Sequence, residues 1–141
     1  MDITPAAKED IASILTLQSQ IYRVQSVAEN ATETLQNLIA NDSCTVLVAR
    51  AGGKVVATAT IFYLPIPTHG KPYALLEGIV VDENQRGKGI GTALSKKIIE
   101  MAKEKNCYKI IFTSGMDRAD IHKFYESLGF KKWGLEFRMD L

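Results

Sequence analysis

The sequence predicts a mixed α/β fold with about six or seven strands and about four helices. Three observations lead there. Apolar residues recur at helical spacing in four segments. Between them lie runs rich in β-branched residues, bounded by Gly, Pro or Asn. Strands joined by short turns come first, and a strand-helix-strand unit follows, whose two strands should run parallel. At 141 residues and 15.6 kDa, residues 1–141 are expected to form a single domain. The 46% hydrophobic and 23% charged content suits a packed core rather than a disordered chain.

The elements follow in order. Residues 2–4 read as a short first strand. After Lys8, the spacing of Ile11, Ile14, Leu15 and Ile21 predicts a helix to about Tyr22. Ser26 followed by Glu29 has the form of a capping box. It would open a second helix with Ala31, Leu35, Leu38 and Ile39 on one face, stopped after Ala40 by Asn41-Asp42-Ser43. Residues 44–50 and 55–64 are predicted strands, joined as a hairpin through Gly52 and Gly53. Pro65, Pro67, Gly70 and Pro72 then break the chain into a loop. Residues 73–81 form a strand that is nearly apolar except for Glu77, the pattern of a strand covered on both faces. Ile90, Leu94, Ile98 and Met101 mark a helix from about Gly89 to Asn106. A buried strand is expected over 108–113, then a short helix over 118–128 with Asp117 as its N-cap. Residues 130–141 read as one hairpin or two short strands.

Composition removes several functions. Residues 1–85 hold 5 Lys or Arg against 9 Asp or Glu, and residues 86–141 hold 12 against 7. That bias is too weak for a nucleic-acid footprint but suits a small polyanion on the second half, as it suits ordinary scatter on solvated helices. No apolar stretch approaches the roughly 18–20 residues needed to cross a bilayer, and the acidic start does not read as a targeting segment. Cys44 and Cys107 make neither a disulfide framework nor a zinc site, and His69 and His122 lack ligand spacing, so no metal is expected. A reduced, cytoplasmic protein is the simplest expectation.

The chemistry concentrates at Arg86-Gly87-Lys88-Gly89-Ile90-Gly91-Thr92, between the 73–81 strand and the helix after it. Glycines let backbone approach a ligand closely, and the first helical N–H groups have no partner within the helix. With the helix dipole and two cations, such a turn can hold a pyrophosphate. It can equally be a plain connection. The GxGxxG dinucleotide spacing and the P-loop pattern are both absent.

Arg86-Gly87-Lys88-Gly89-Ile90-Gly91, preceded by Leu76-Glu77-Gly78-Ile79-Val80-Val81, resembles the Q/R-x-x-G-x-G/A acetyl-CoA-binding motif of the GCN5-related N-acetyltransferases (GNAT). Phe124-Tyr125-Glu126-Ser127-Leu128-Gly129-Phe130 resembles that family's second signature at the expected separation, and the element order resembles the GNAT fold from end to end. The resemblance implies transfer of acetyl from acetyl-CoA to an amine, by direct attack in a ternary complex. It implies that Arg86, Gly87, Lys88, Gly89, Ile90, Gly91 and Thr92 bind the cofactor's pyrophosphate. The N–H groups around Ile79, Val80 and Val81 would bind the pantetheine arm and polarise the thioester carbonyl, with Gly78 permitting a bulge. Ser114 would line the pantetheine channel, although an ordinary turn explains it equally well.

Two groups are expected to carry the proton chemistry. Glu77, the acidic residue of the 73–81 strand, is the candidate base, with substrate-ammonium anchoring and a structural ion pair as alternatives. By the period-two rule it shares a face with Tyr73, Leu75, Ile79 and Val81. Tyr125 lies beside a stripe of Ile121, Phe124 and Leu128, and periodicity alone makes it a core tyrosine. Its motif position implies the general acid toward the CoA sulfur.

The expected acceptor is a small-molecule amine, met in a cleft built by the first two helices, the loop near residues 23–26 and the 65–72 loop. The Leu-Glu-Gly-Ile-Val-Val strand resembles the glucosamine-6-phosphate and small-amine acetyltransferases. Thr113-Ser114-Gly115-Met116-Asp117-Arg118 lacks the asparagine-bearing stretch of the ribosomal-protein N-terminal acetyltransferases. A protein lysine or N-terminal acetyltransferase and a non-catalytic acyl-CoA-sensing module are the competing functions. Residues 130–141 are expected to expose a sheet edge that a second copy would cover as a homodimer, with Lys131 and Lys132 as the alternative edge protection.

Overall fold

Five strands, β1 (Asp2–Pro5), β2 (Cys44–Ala51), β3 (Lys54–Ile66), β4 (Lys71–Val81) and β5 (Ile110–Ile111), form one sheet in chain order in the computed structural model, which describes residues 1–141. The first four pair antiparallel and β5 joins β4 in parallel, as the strand-helix-strand reading requires. The helices are α1 (Ile11–Gln18), α2 (Ala31–Ile39), α3 (Ile90–Glu104) and α4 (Ala119–Ser127), with short 3-10 turns at Lys8–Asp10 and Glu83–Gln85. The chain groups into two units, Met1–Ile111, which holds the sheet and α1–α3, and Phe112–Leu141, which holds α4. No helix is long and apolar enough to cross a membrane.

The strand count is lower than expected. Residues 130–141 form neither strand nor hairpin, because no second strand within residues 112–141 offers their N–H and C=O groups a ladder. The 108–113 strand shortens to β5, paired as Ala74–Ile110 and Leu75–Ile111. The first helix stops at Gln18 rather than Tyr22. The Thr16 and Ser19 hydroxyls bond back to the carbonyls of Ala12 and Thr16, and the following turns lead to Arg23 at φ 65°. The second helix begins at Ala31, so Ser26 and Glu29 form no capping box, and Asn30 holds the N-cap position. In α4 that position belongs to Arg118 rather than Asp117. The expected 65–72 loop is short, since Pro65 and Pro72 still face each other across the β3–β4 hairpin.

Helices α1, α2 and α3 cover the sheet with the residues their periodicity selected. Ile11 and Ile14 of α1 and Leu35 of α2 pack on Val46 and Val48 of β2, and Leu38, Ile39 and Val55 close the margin. Strand β3 is buried on both faces from Val56 to Ile61. Helix α3 packs on β3 and β4 and buries Ile90, Leu94, Ile98 and Ala102. Asp10 is 6% exposed and is satisfied by the Ala7 N–H at 2.8 Å and by Arg50 Nη2 at 2.8 and 2.7 Å. Arg50 Nη1 donates to Thr4 Oγ1 at 2.7 Å, so one guanidinium joins β1, β2 and the start of α1. Cys44 is buried, and its thiol donates to the Leu38 carbonyl at 3.1 Å; Cys107 is half-buried. Burial pushes both thiols up from their ordinary range, so neither is an activated nucleophile.

Candidate functional site

The break in the β3–β4 ladder sets the geometry of the first unit's site. Thr60 faces Glu77 and Thr58 faces Val80, so Gly78 and Ile79 together oppose Ala59. This is a β-bulge, and Gly78 adopts φ 63°, a left-handed conformation that side chains other than glycine's enter at a cost. The extra residue shifts the alternation. Glu77 therefore shares its face with Tyr73, Leu75 and Val80, and Ile79 and Val81 leave that face, contrary to the period-two expectation. Thr58 and Thr60 pair in turn with Val48 and Val46, the residues under α1 and α2. Glu77 thus lies on the α1/α2 face of the sheet, and its side chain is exposed within its unit. The expectation of a strand covered on both faces holds for Ala74, Leu76 and Val80, which are buried, and fails at Glu77.

Strand β4 delivers the chain into the glycine turn. Asp82 caps the Glu83–Gln85 turn by accepting from the Asn84 N–H at 3.1 Å. Arg86 Nε donates to the Val81 carbonyl at 3.2 Å, and Lys88 Nζ donates to Gln85 Oε1 at 2.9 Å, so both cations are held to the loop they flank. Gly87 and Gly89 take φ 77° and 78°, and no atom lies within 4 Å of a Cβ built on either. Gly89 occupies the N-cap of α3 with no side-chain cap, and Ile90, Gly91 and Thr92 form the helix's first turn. Open space, left-handed backbone and helical N–H groups beside two cations make a cradle for a phosphate-bearing ligand. The residues present fit the pyrophosphate of coenzyme A.

Two residues outside the sequence-derived set also touch this region. Gln18, the last residue of α1, has Nε2 3.4 Å from the position a Cβ on Gly78 would occupy. Gln20 Oε1 accepts from the Glu83 N–H at 3.0 Å. Neither carries a local pattern that could have revealed it, because both contacts arise only when α1 lies on the sheet.

The second unit holds Tyr125 and Ser114. The Tyr125 ring lies among Phe112, Phe124 and Phe130 at centroid distances of 4.4, 5.2 and 6.0 Å. Burial pushes its phenol above the ordinary tyrosine range, and the nearby Arg118 charge offsets part of that rise. The hydroxyl therefore stays protonated at neutral pH. Ser114 Oγ is buried without a hydrogen-bond partner, an unmet polar group of the kind that a bound ligand satisfies.

Comparison with known proteins shows the family. The Acetyltransferase (GNAT) family model matches residues 11–130. The chain belongs to the GNAT acetyltransferase family. It is 36% identical over 90 residues to a glucosamine 6-phosphate N-acetyltransferase of Trypanosoma brucei brucei, a match covering 63% of this chain and 59% of that protein. It is 29% identical over 94 residues to N-acetyltransferase 8 of Rattus norvegicus, covering 67% of this chain and 42% of the relative. The matched region is thus less than two thirds of either relative's length. Among solved structures, an acetyltransferase of Trypanosoma brucei superposes with a TM-score of 0.83 at 26% identity over 99% of both chains.

Proposed function

We propose that the protein transfers the acetyl group of acetyl-CoA to the primary amine of a small molecule, by direct attack with both substrates bound. The observation that carries this reading is the Gly78 bulge. It takes Ile79 and Val81 off the α1/α2 face that Glu77 shares with Tyr73 and Leu75, just before β4 runs into the glycine turn. Acetyl-CoA supplies the activated acetyl thioester. Arg86, Lys88 and the N–H groups of residues 87–92 hold its pyrophosphate, and Ser114 Oγ offers a polar contact to the pantetheine arm.

The remaining steps belong to the chain's own residues. An alkylammonium has a pKa of about 10 and is not nucleophilic at neutral pH, so Glu77 takes its proton, directly or through water. Backbone N–H groups near Ile79 and Val81 donate to the carbonyl oxygen as negative charge develops there. The nitrogen attacks the thioester carbon and the tetrahedral adduct then collapses. The carbon–sulfur bond breaks, and the Tyr125 hydroxyl gives its proton to the departing sulfur. The nitrogen's surplus proton passes to solvent while the Tyr125 phenolate takes one back. The family match runs through both units, which supports reading residues 1–141 as one acetyltransferase domain. A cytoplasmic location is part of the proposal.

The acceptor class rests on the relatives. Proteins named glucosamine 6-phosphate N-acetyltransferase are 36% and 33% identical to this chain over about two thirds of its length. The test is thiol release from acetyl-CoA with glucosamine 6-phosphate, spermidine, lysine and peptides, each product identified by mass. Turnover of a small amine supports the proposal. Acetylation of peptides alone would shift the assignment to a protein acetyltransferase, and coenzyme A binding without any turnover to a sensing module.

A further inference from the structure

Helix α1 ends against the bulge. Gln18 is half-buried, and its Nε2 lies 3.4 Å from the Cβ position of Gly78, the residue next to Glu77. The helix lies on the face to which the β3–β4 register assigns Glu77. Two residues on, Gln20 Oε1 accepts from the Glu83 N–H just beyond β4. The end of α1 thus meets β4 at Gly78 and is bonded to the loop just beyond β4 at Glu83. A Cβ on Gly78 would sit in van der Waals contact with the Gln18 carboxamide.

We infer that Gln18 positions the acceptor amine: its carboxamide oxygen accepts a hydrogen bond from one N–H of the amine whose other proton goes to Glu77. This rests on the acetyltransferase reading above and adds a residue to it. An amine nitrogen held by a carboxylate alone can rotate its lone pair away from the thioester carbon. A second contact, from a carboxamide, removes that freedom, and reactions of this kind respond steeply to such alignment. Of the carboxamide's two polar atoms, Oε1 is the one that can accept. Glutamine suits the task because it adds no charge that would hold the amine as ammonium.

The test compares wild type with Gln18→Met, which keeps the volume and removes the acceptor, and with Gln18→Glu, which keeps an acceptor. Initial rates are measured with glucosamine 6-phosphate, spermidine and lysine, and coenzyme A affinity by calorimetry. The expected result for Gln18→Met is a fall of about 5- to 20-fold in kcat/KM for the amine, as for a lost substrate hydrogen bond. Coenzyme A affinity should stay within about twofold, and Gln18→Glu should recover the amine KM without recovering kcat, since its charge holds the amine as ammonium. An unchanged kcat/KM for the amine in Gln18→Met, or an equal loss of coenzyme A affinity, overturns the assignment and leaves the acetyltransferase reading standing. A wild type inert with every amine overturns both, which separates the two failures.

Discussion

Gln20 Oε1 accepts a hydrogen bond from the Glu83 N–H at 3.0 Å across 63 positions of sequence, joining the end of α1 to the start of the loop that leads into α3. The helix that borders the proposed acceptor side is thereby fixed to the segment proposed to hold the donor. Gln20→Ala removes one exposed hydrogen bond, so folding stability should change by less than about 1 kcal/mol. Coenzyme A affinity should fall about two- to fivefold as the loop loses that support, which calorimetric titration measures directly.

The Asp10–Arg50 pair predicts a larger effect on stability. Asp10 is almost wholly buried and depends on Arg50 for two of its hydrogen bonds. Arg50→Ala leaves that carboxylate without its counter-charge and should cost about 3 kcal/mol, at the low end for a buried pair because Arg50 keeps some exposure. At this chain length that corresponds to roughly 6–12 °C in Tm. Thermal denaturation followed by circular dichroism checks it.

At Gly89 the constraint is backbone conformation. Its φ is 78° and no atom stands near a Cβ, so Gly89→Ala is penalised by conformation rather than by collision. Destabilisation of about 1–2 kcal/mol is expected, together with a loss of coenzyme A affinity of about tenfold or more as the first N–H groups of α3 turn away. Denaturant melts and calorimetry separate the two effects.

Burial of the Tyr125 phenol gives a signed pH prediction. The folded protein holds this proton more tightly than the unfolded chain, whose tyrosines ionise near pH ~10. Stability is therefore complete below about pH 10 and is lost as pH rises through the higher folded value. Tyr63 is raised for the same chief reason, so Tyr125→Phe should reduce this alkaline slope without abolishing it. Urea denaturation at pH 8 and above pH 10, in wild type and variant, gives the comparison.

Elements set by local chemistry were legible in the sequence. Gly52 and Gly53 made the β2–β3 hairpin, with φ 56° and 76°, and the glycine turn opened α3 within a residue of its expected start. Glu77 and Gly78 were visible as a polar residue and a glycine in an apolar strand. The faces that Ile79 and Val81 take were not, because the bulge that sets them is a property of pairing with Thr58, Ala59 and Thr60. The end of α1 was also misread. Ile21 continued the helical spacing, but side-chain bonds to the helix's own carbonyls and the turn at Arg23 ended it at Gln18. Gln18 and Gln20 lie against β4 and the loop beyond it, where periodicity gave no reason to look.

The proton-transfer roles are tested most directly by thiol release from acetyl-CoA at saturating amine, in wild type, Glu77→Gln and Tyr125→Phe. In each variant kcat should fall at least about 100-fold, with coenzyme A affinity within about threefold of wild type. Both variants turning over at the wild-type rate, with a wild-type that acetylates the amine, would contradict the roles assigned to Glu77 and Tyr125.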